Sequence, residues 1–438
     1  MEIYNGDCLE ELKRFSPNSI DCIVTDPPYE LNFMGKGWDN AGVSFNKNTW
    51  EKCLRVLKPG GYLLAFGGTR TYHRIACAIE DAGFEIRDCI MWLYGSGFPK
   101  SMNIGLAVDK KLGNESKVIG EGRSGGTSLA YQSAETTTAG AYQLKEAQNE
   151  WRGWGTALKP AYEPIIVARK PFKGSLVDNV LENGVGGLNL DECRVETGDV
   201  IAKNVSYKTE KQSEGWGTKK CITEPSTIGR FPANLILTYD KTDYDEVCGN
   251  MPDSNGAGGS MPKVKVTGYG DKIGKGKSEY AGGERIKFDS GSGSVCRYFY
   301  CAKASKKDRD EGLEEFDLKK TGELQGGRKE GSAGSIMQNA DGSGRLNPYA
   351  GTGAPKRNTH PTVKPTSLMQ YLVRLVAPKG AAILDPFMGS GSTGKAVMFE
   401  NRERNAGYKF IGIEKDPEYC EIAKARIEKA KEGQCRLI

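Results

Sequence analysis

A strand–helix rhythm that fades near residue 100 and resumes near residue 367 limits the folds open to this chain more than any other feature. Glu2-Ile3-Tyr4 reads as a short strand, Leu9 to Phe15 as a helix and Ile20 to Thr25 as a buried strand. Trp50 to Leu57 has helical spacing and is expected to stop at the breaker cluster Lys58-Pro59-Gly60-Gly61. Tyr62 to Phe66 then reads as a strand, His73 to Ala82 as a helix and Phe84 to Trp92 as a strand. The rhythm returns with a helix over Ser367 to Val376, a strand over Ala381 to Leu384 and a helix over Gly394 to Glu400. A strand over Phe410 to Ile413 and an amphipathic helix over Pro417 to Lys431 complete it. Strands alternating with helices predict a parallel, doubly wound sheet. The simplest arrangement is one sheet built from both chain ends.

The stretch between them is different. Residues 95–158 are rich in Gly, Ser, Thr and Gln and read as a long loop insertion, after which Pro164 to Ala168 restores a strand. From about 172 to 355 the chain looks irregular, with apolar islands at Asn234 to Thr238 and Tyr298 to Cys301. Glycine supplies 57 of 438 residues without a triplet period, which predicts long loops rather than collagen-like order. Net charge is only +5, so any polyanion partner must be argued from the distribution of charge. Between Pro262 and Asp289, seven Lys and Arg outnumber Asp271, Glu279, Glu284 and Asp289. The twelve cysteines contain no Cys-x-x-Cys pair and only two histidines exist, His73 and His360, so no metal is expected. No apolar run long enough to cross a membrane occurs, and the cysteines read as small buried side chains of a soluble, reducing-compartment protein.

Two strand ends carry the chemistry. Ala381 to Leu384 runs into Asp385 and the loop Pro386-Phe387-Met388-Gly389-Ser390-Gly391-Ser392-Thr393, then a helix. Glycine lets main chain approach a ligand, and a helix start presents unpaired N–H groups. Ser392 and Thr393 offer hydroxyl donors for a carboxylate, and Glu414 closes the next strand where an acid meets a ribose diol. A nicotinamide fingerprint lacks its third glycine here, and no Walker Gly-Lys-Ser/Thr order is present. At the other strand end, Asp26-Pro27-Pro28-Tyr29 offers a carboxylate, an outward prolyl carbonyl and an aromatic face in one turn. An aromatic exocyclic amine is a poor nucleophile. A carboxylate and a carbonyl accepting its two hydrogens would localise the lone pair on nitrogen, and a stacked base gains about 1–3 kcal/mol. The plainer reading is an ordinary proline turn.

In these residues the chain resembles amino-methylating DNA methyltransferases that use S-adenosylmethionine, with the target-amine motif ahead of the cofactor motif. Asn5-Gly6-Asp7-Cys8, Thr25 to Tyr29, His360-Pro361-Thr362-Val363-Lys364-Pro365, Leu384 to Thr393 and Gly412-Ile413-Glu414 with Tyr419 carry the likeness. It looks closest to phage and prophage adenine methylases, through Phe33-Met34-Gly35-Lys36, Gly97 to Ser101 and Ala161-Tyr162-Glu163-Pro164. The resemblance implies an α/β, Rossmann-like class I methyltransferase sheet assembled from residues 1–170 and 359–438. Residues 171–358 would be an inserted target-recognition region. It implies Asp26, Pro27, Pro28 and Tyr29 as catalytic residues. Asp7 would contact the cofactor adenine beside Cys8, and Glu414 the ribose. Phe387, Gly389 and Gly391 would shape the methionine pocket, with Asp385 near the amino group. His360, Thr362 and Lys364 would line the wall nearest the methionine tail.

The implied reaction is methylation of adenine N6 in duplex DNA, by base flipping and direct in-line transfer without a covalent enzyme intermediate. Cytosine N4 presents the same two hydrogens and is the nearest rival, although cytosine-N4 enzymes more often carry Ser at the position of Asp26. More distant readings are a non-catalytic DNA-binding relic and a nicotinamide-dependent oxidoreductase. The basic middle segment is the expected DNA reader, and Trp38 either fills the gap left by the flipped base or covers the pocket. Trp151, Trp154 and Trp216 are expected as packing anchors. The setting implied is the cytoplasm of a bacterial cell or phage-infected host, as a restriction–modification partner, a phage self-protection enzyme or a solitary methylase. Oligomeric state is left open, a homodimer included.

Overall fold

In the computed structural model, the described residues are 1–31, 42–94, 101–123, 141–195, 229–238, 306–318 and 357–432. Short strands at 201–207, 220–226, 253–254, 293–294, 300–301, 336–338 and 344–346 are described as well. Trp38, Trp216, the Phe33 to Lys36 motif and the basic stretch 262–289 lie outside them. The chain divides into two compact units, one of residues 1–93 and 163–438 and the other of Tyr94–Tyr162.

The first unit is organised by a nine-stranded sheet. Its strands in chain order are β1 (Glu2–Asn5), β2 (Ile20–Thr25), β3 (Leu57–Phe66), β4 (Glu85–Tyr94) and β5 (Tyr162–Arg169), then β6 (Leu235–Thr238), β7 (Tyr300–Cys301), β8 (Ala382–Asp385) and β9 (Lys409–Glu414). They lie in the order β1-β9-β8-β2-β3-β5-β4-β6-β7. β1, β9, β8, β2 and β3 run parallel, and β5 is antiparallel to β3. The C-terminal strands β8 and β9 are therefore seated between the N-terminal β1 and β2, which is the both-ends sheet expected from the rhythm. β2 reads Ile-Asp-Cys-Ile-Val-Thr and is buried at every position, as a central strand covered on both faces must be.

Helices Tyr72–Asp81, Thr366–Val376, Ser392–Arg404 and Pro417–Glu432 reproduce the expected ones within a few residues. The helix Lys47–Val56 stops where expected, but the next strand starts at Leu57 rather than Tyr62 and so takes in the Lys58 to Gly61 cluster. β3 runs straight through it, with Gly60 at φ +82° and a register irregularity between Ile20 and Cys22 of β2. Glycine absorbs the kink there because it alone occupies that region without strain. A second departure is the helix Leu176–Asn183 in a stretch read as irregular. Its start was written in the sequence, since Ser175 and Asp178 form a reciprocal capping box. The core beneath the sheet gathers Leu12, Ile23, Trp50, Leu63, Ile75, Ile166, Leu384 and Ile413. Trp50 is fully buried and its indole N–H donates to the Ser44 carbonyl at 2.8 Å, so burial leaves no polar group stranded.

The second unit covers most of the stretch read as a loop insertion, and its described residues hold regular structure. A helix spans Ile104–Leu112, and the strands Lys117–Arg123 and Ala141–Glu146 pair antiparallel. Asp109, buried, ties it together by accepting from Asn149 Nδ2 at 2.6 Å and Gln148 N at 3.0 Å. Trp151 and Trp154 pack edge-to-face at 5.3 Å while remaining 40% and 60% exposed, so they anchor each other at the surface. Among the described residues, no helix is long and apolar enough to cross a membrane.

Candidate active site

Four acids stand at the carboxyl ends of adjacent parallel strands. Pairing of Leu384 with Ile23 and of Asp385 with Gly412 aligns β2, β8 and β9, and Asn5 pairs with Glu414. Asp26, Asp385, Glu414 and Asp7 are consequently delivered to one edge, where open α/β sheets bind ligands. Two parts of the site can be told apart.

The first is built on the Gly389/Gly391 loop. Glu414 accepts the Gly389 N–H at 2.8 Å and the Asp416 N–H at 2.8 Å. Burial raises its pKa, with those amides pulling the other way. Gly389 has φ +53°, and a Cβ there would come within 2.9 Å of His360 Nε2. Gly391, at φ +78°, faces away from that space, since its Cβ would meet the Ala423 Cβ at 2.9 Å. Gly391 is thus required by helix packing, while Gly389 is required where the loop meets His360. No side chain caps the helix that starts at Ser392, so its first N–H groups offer donors for an anionic group. Asp7 caps the short helix Cys8–Glu11 by accepting from Leu9 N at 2.9 Å, and it pairs with Lys415 at 3.0 Å.

Several residues expected to touch the cofactor are otherwise engaged. Asp385 is buried, and the hydroxyls of Thr25 and Thr393 donate to its two oxygens at 2.6 and 2.5 Å. Burial pushes its pKa up to about 7. The Thr393 hydroxyl is therefore directed into the protein, and the Ser392 hydroxyl lies 3.5 Å from buried Arg426. Cys8 is buried in the core, where its thiol pKa rises to about 12, so only its backbone can face a ligand. Phe387 packs against Trp50 at 6.3 Å and donates its N–H to Asp385. The ring of His360 meets Tyr419 edge-on at 4.7 Å, and burial lowers its pKa to about 3, leaving a neutral imidazole. Thr362 is exposed in the turn before Lys364.

The second part surrounds Asp26. Its Oδ2 accepts from Lys364 Nζ at 2.6 Å, while its buried Oδ1 has no hydrogen-bond partner within the protein. Lys364 also lies 3.4 Å from Glu163 Oε2, and the Tyr29 hydroxyl donates to that same oxygen at 2.7 Å. Burial raises the Asp26 pKa, Lys364 opposes it and Glu163 reinforces it. Burial disfavours the Lys364 ammonium, but the two carboxylates outweigh it and hold the amine protonated. Burial and the same two acids keep the Tyr29 phenol un-ionised. Lys364, expected beside the methionine tail, thus sits on the acid of the Asp-Pro-Pro-Tyr turn.

Sequence reasoning overlooked a group that braces the loop from behind. Asp308 accepts from Lys395 Nζ at 2.6 Å and from the Thr366 hydroxyl at 2.5 Å. Arg426, fully buried, donates to the Ser390 carbonyl at 2.6 Å and the Asp308 carbonyl at 2.9 Å. Arg309 donates to the His360 carbonyl. The one local signal was the Lys395 charge inside an otherwise apolar helical turn.

Strand-end acids, uncapped helix amides and a glycine against His360 fit a nucleoside cofactor carrying an amino-acid tail. A family model described as DNA methylase, of the N6/N4 type, matches residues 20–425. The Type II methyltransferase M.HindIII of Haemophilus influenzae is 25% identical over 297 residues, 57% of this chain and 84% of that protein. The Type II methyltransferase M.HpaI of Haemophilus parainfluenzae is 38% identical over 103 residues, 22% of this chain and 32% of that one. Among solved structures, the M1.HpyAVI–SAM complex aligns over 97% of this chain and 98% of its own, at 15% identity and a TM-score of 0.35. Because the family match runs from the first residue of β2 well into the last helix, this chain belongs to the N6/N4 DNA methylase family.

Proposed function

We propose that this protein is a site-specific DNA methyltransferase that methylates adenine N6 in duplex DNA. The observation that carries the reading is the buried, unpartnered Oδ1 of Asp26 at the end of β2. A buried acceptor left empty costs about 1–3 kcal/mol, so it is kept for a donor that arrives with the substrate. An exocyclic amine supplies such a donor. Asp26 Oδ1 takes one of its hydrogens, the Pro27 carbonyl takes the other, and Tyr29 stacks on the flipped base.

S-adenosylmethionine, when bound, supplies a methyl group already activated by its sulfonium. Glu414 would hold its ribose and Asp7 its adenine, with Phe387, Gly389 and the amides at Ser392 and Thr393 around the methionine portion. Asp385, through Thr25 and Thr393, would hold the strand ends in place rather than touch the amino group. In the transfer the nitrogen lone pair would form the new N–C bond, and the C–S pair would stay with sulfur. The amine is left with one proton too many, which Asp26 Oδ1 is placed to receive. Positioning then accounts for most of the rate.

The test is transfer of labelled methyl from S-adenosylmethionine to duplex DNA, followed by identification of the methylated nucleoside. N6-methyladenine supports the reading, and N4-methylcytosine replaces it with the rival that shares the same geometry. Binding of DNA should weaken steeply with salt, because phosphate contacts release counterions.

A further inference from the structure

Asp26 belongs to a largely buried charge cluster that neither the fold nor cofactor binding calls for. Lys364 Nζ touches Asp26 Oδ2 at 2.6 Å and Glu163 Oε2 at 3.4 Å, and the three side chains are 7%, 19% and 21% exposed. Nζ also stands 5.3 Å over the Tyr29 ring and 5.0 Å over Phe66. Buried ions are costly, and replacement of such a set by apolar residues is often neutral or stabilising. Its members come from β5, from the segment ahead of the Thr366–Val376 helix and from the turn after β2. They meet where one carboxylate oxygen is left bare.

We infer that Lys364 and Glu163 are positioning residues for the methyl-accepting amine: Lys364 occupies one oxygen of Asp26 so that the other faces the substrate, and Glu163 anchors the stacking ring of Tyr29 through its hydroxyl. This rests on the reading of Asp26 as the acceptor of the amine. An acid in that place works only as a carboxylate, because a protonated one would donate to the amine and could not receive its proton. Burial and Glu163 push Asp26 toward the protonated form, and Lys364 is the cation that opposes them. The groups facing Asp26 are Lys364, Glu163 and Tyr29, with Asp385 on the neighbouring strand, and His360, held neutral, feels the Lys364 charge.

The two residues therefore act on Asp26 with opposite sign, which a purely architectural role would not do. The experiment is the pH–rate profile of single-turnover methyl transfer to duplex DNA by the full chain, for the natural protein, Lys364→Met and Glu163→Gln. Lys364→Met should move the acid limb up by about 1–3 pH units, so that activity lost at neutral pH returns under alkaline conditions. Glu163→Gln keeps an oxygen for the Tyr29 hydroxyl and should move the limb down. Rates lowered by one factor at every pH in both variants would overturn the inference. Should Lys364→Met not fold, the direction of the Glu163→Gln shift decides alone. Asp26→Ala separates the two levels. A natural protein that transfers no methyl to DNA removes the functional reading itself. An active natural protein with inactive Asp26→Ala and unmoved limbs removes only the roles of Lys364 and Glu163.

Discussion

Asp26 and Asp385 end neighbouring parallel strands and are each followed by proline, and each keeps a carboxylate oxygen out of solvent, yet they are finished in opposite ways. Asp385 accepts a threonine hydroxyl on each oxygen, from Thr25 of the adjacent strand and Thr393 of the following helix. Asp26 accepts one ammonium and leaves its other oxygen bare. A buried acid with both oxygens answered from within holds the protein together. A buried acid with one direction unanswered is arranged for something that is not part of the protein. The same dipeptide at the same sheet edge thus separates into a brace and a reacting group.

The sharpest way to break this contrast is to truncate each acid. Asp26→Ala should cut methyl transfer about 10²–10⁴-fold, the range for a lost proton acceptor, while S-adenosylmethionine binding stays close to that of the natural protein. Full activity of this variant in a labelled-methyl assay would end the assignment. Asp385→Ala should behave the other way. It strands two hydroxyls on residues that are buried, Thr25 and Thr393, at about 1–3 kcal/mol each. The unfolding midpoint in urea should fall accordingly. An unchanged midpoint would show that Asp385 braces nothing.

A smaller effect sharpens the contrast within the glycine loop. Gly391→Ala meets both a left-handed backbone at φ +78° and the Ala423 side chain at 2.9 Å. Left-handed backbone alone costs about 1–2 kcal/mol for a residue with a Cβ. Stability should therefore drop by about that amount or somewhat more, as read by thermal unfolding. If cofactor affinity fell while stability held, Gly391 would belong to the pocket after all.

How much of this was legible depends on how local each signal is. The Asp-Pro-Pro-Tyr turn, the Gly389/Gly391 loop and Glu414 all follow apolar strands, so the strand supplies the address and the next residue the chemistry. That one sheet is built from both chain ends was legible for the same reason, since alternation at both ends leaves few ways to build a parallel sheet. The partner of Asp26 was not, because Lys364 lies 338 positions away and its motif says only that a cation precedes a helix. Glu163 stands in a motif that carries the family likeness but assigns it no role, although a lone acid entering the apolar run Pro-Ile-Ile-Val-Ala asks for a partner. The Lys58 to Gly61 cluster marks the end of the helix Lys47–Val56 but hides the start of β3, because one glycine at positive φ lets a strand bend and continue.

The finest discrimination between the two acids comes from pH. Burial raises the Asp385 pKa to about 7 from an ordinary value near 4, so the folded protein holds a proton there that the unfolded chain releases. Between those two values the native state binds more protons, and stability falls as pH rises. The contribution of Asp385 is fully present below about pH 4 and is lost by the time pH passes about 7, with a slope of at most about 1.4 kcal/mol per pH unit. Asp385→Asn keeps an oxygen for one threonine and turns an amide toward the other, so its net effect near neutral pH should be under about 1 kcal/mol. What it should remove is the slope. Urea midpoints at pH 5 and pH 8 should converge in this variant relative to the natural protein. Retention of the full difference would move the titrating group elsewhere in the molecule, and it would leave Asp385 as a brace whose charge is immaterial.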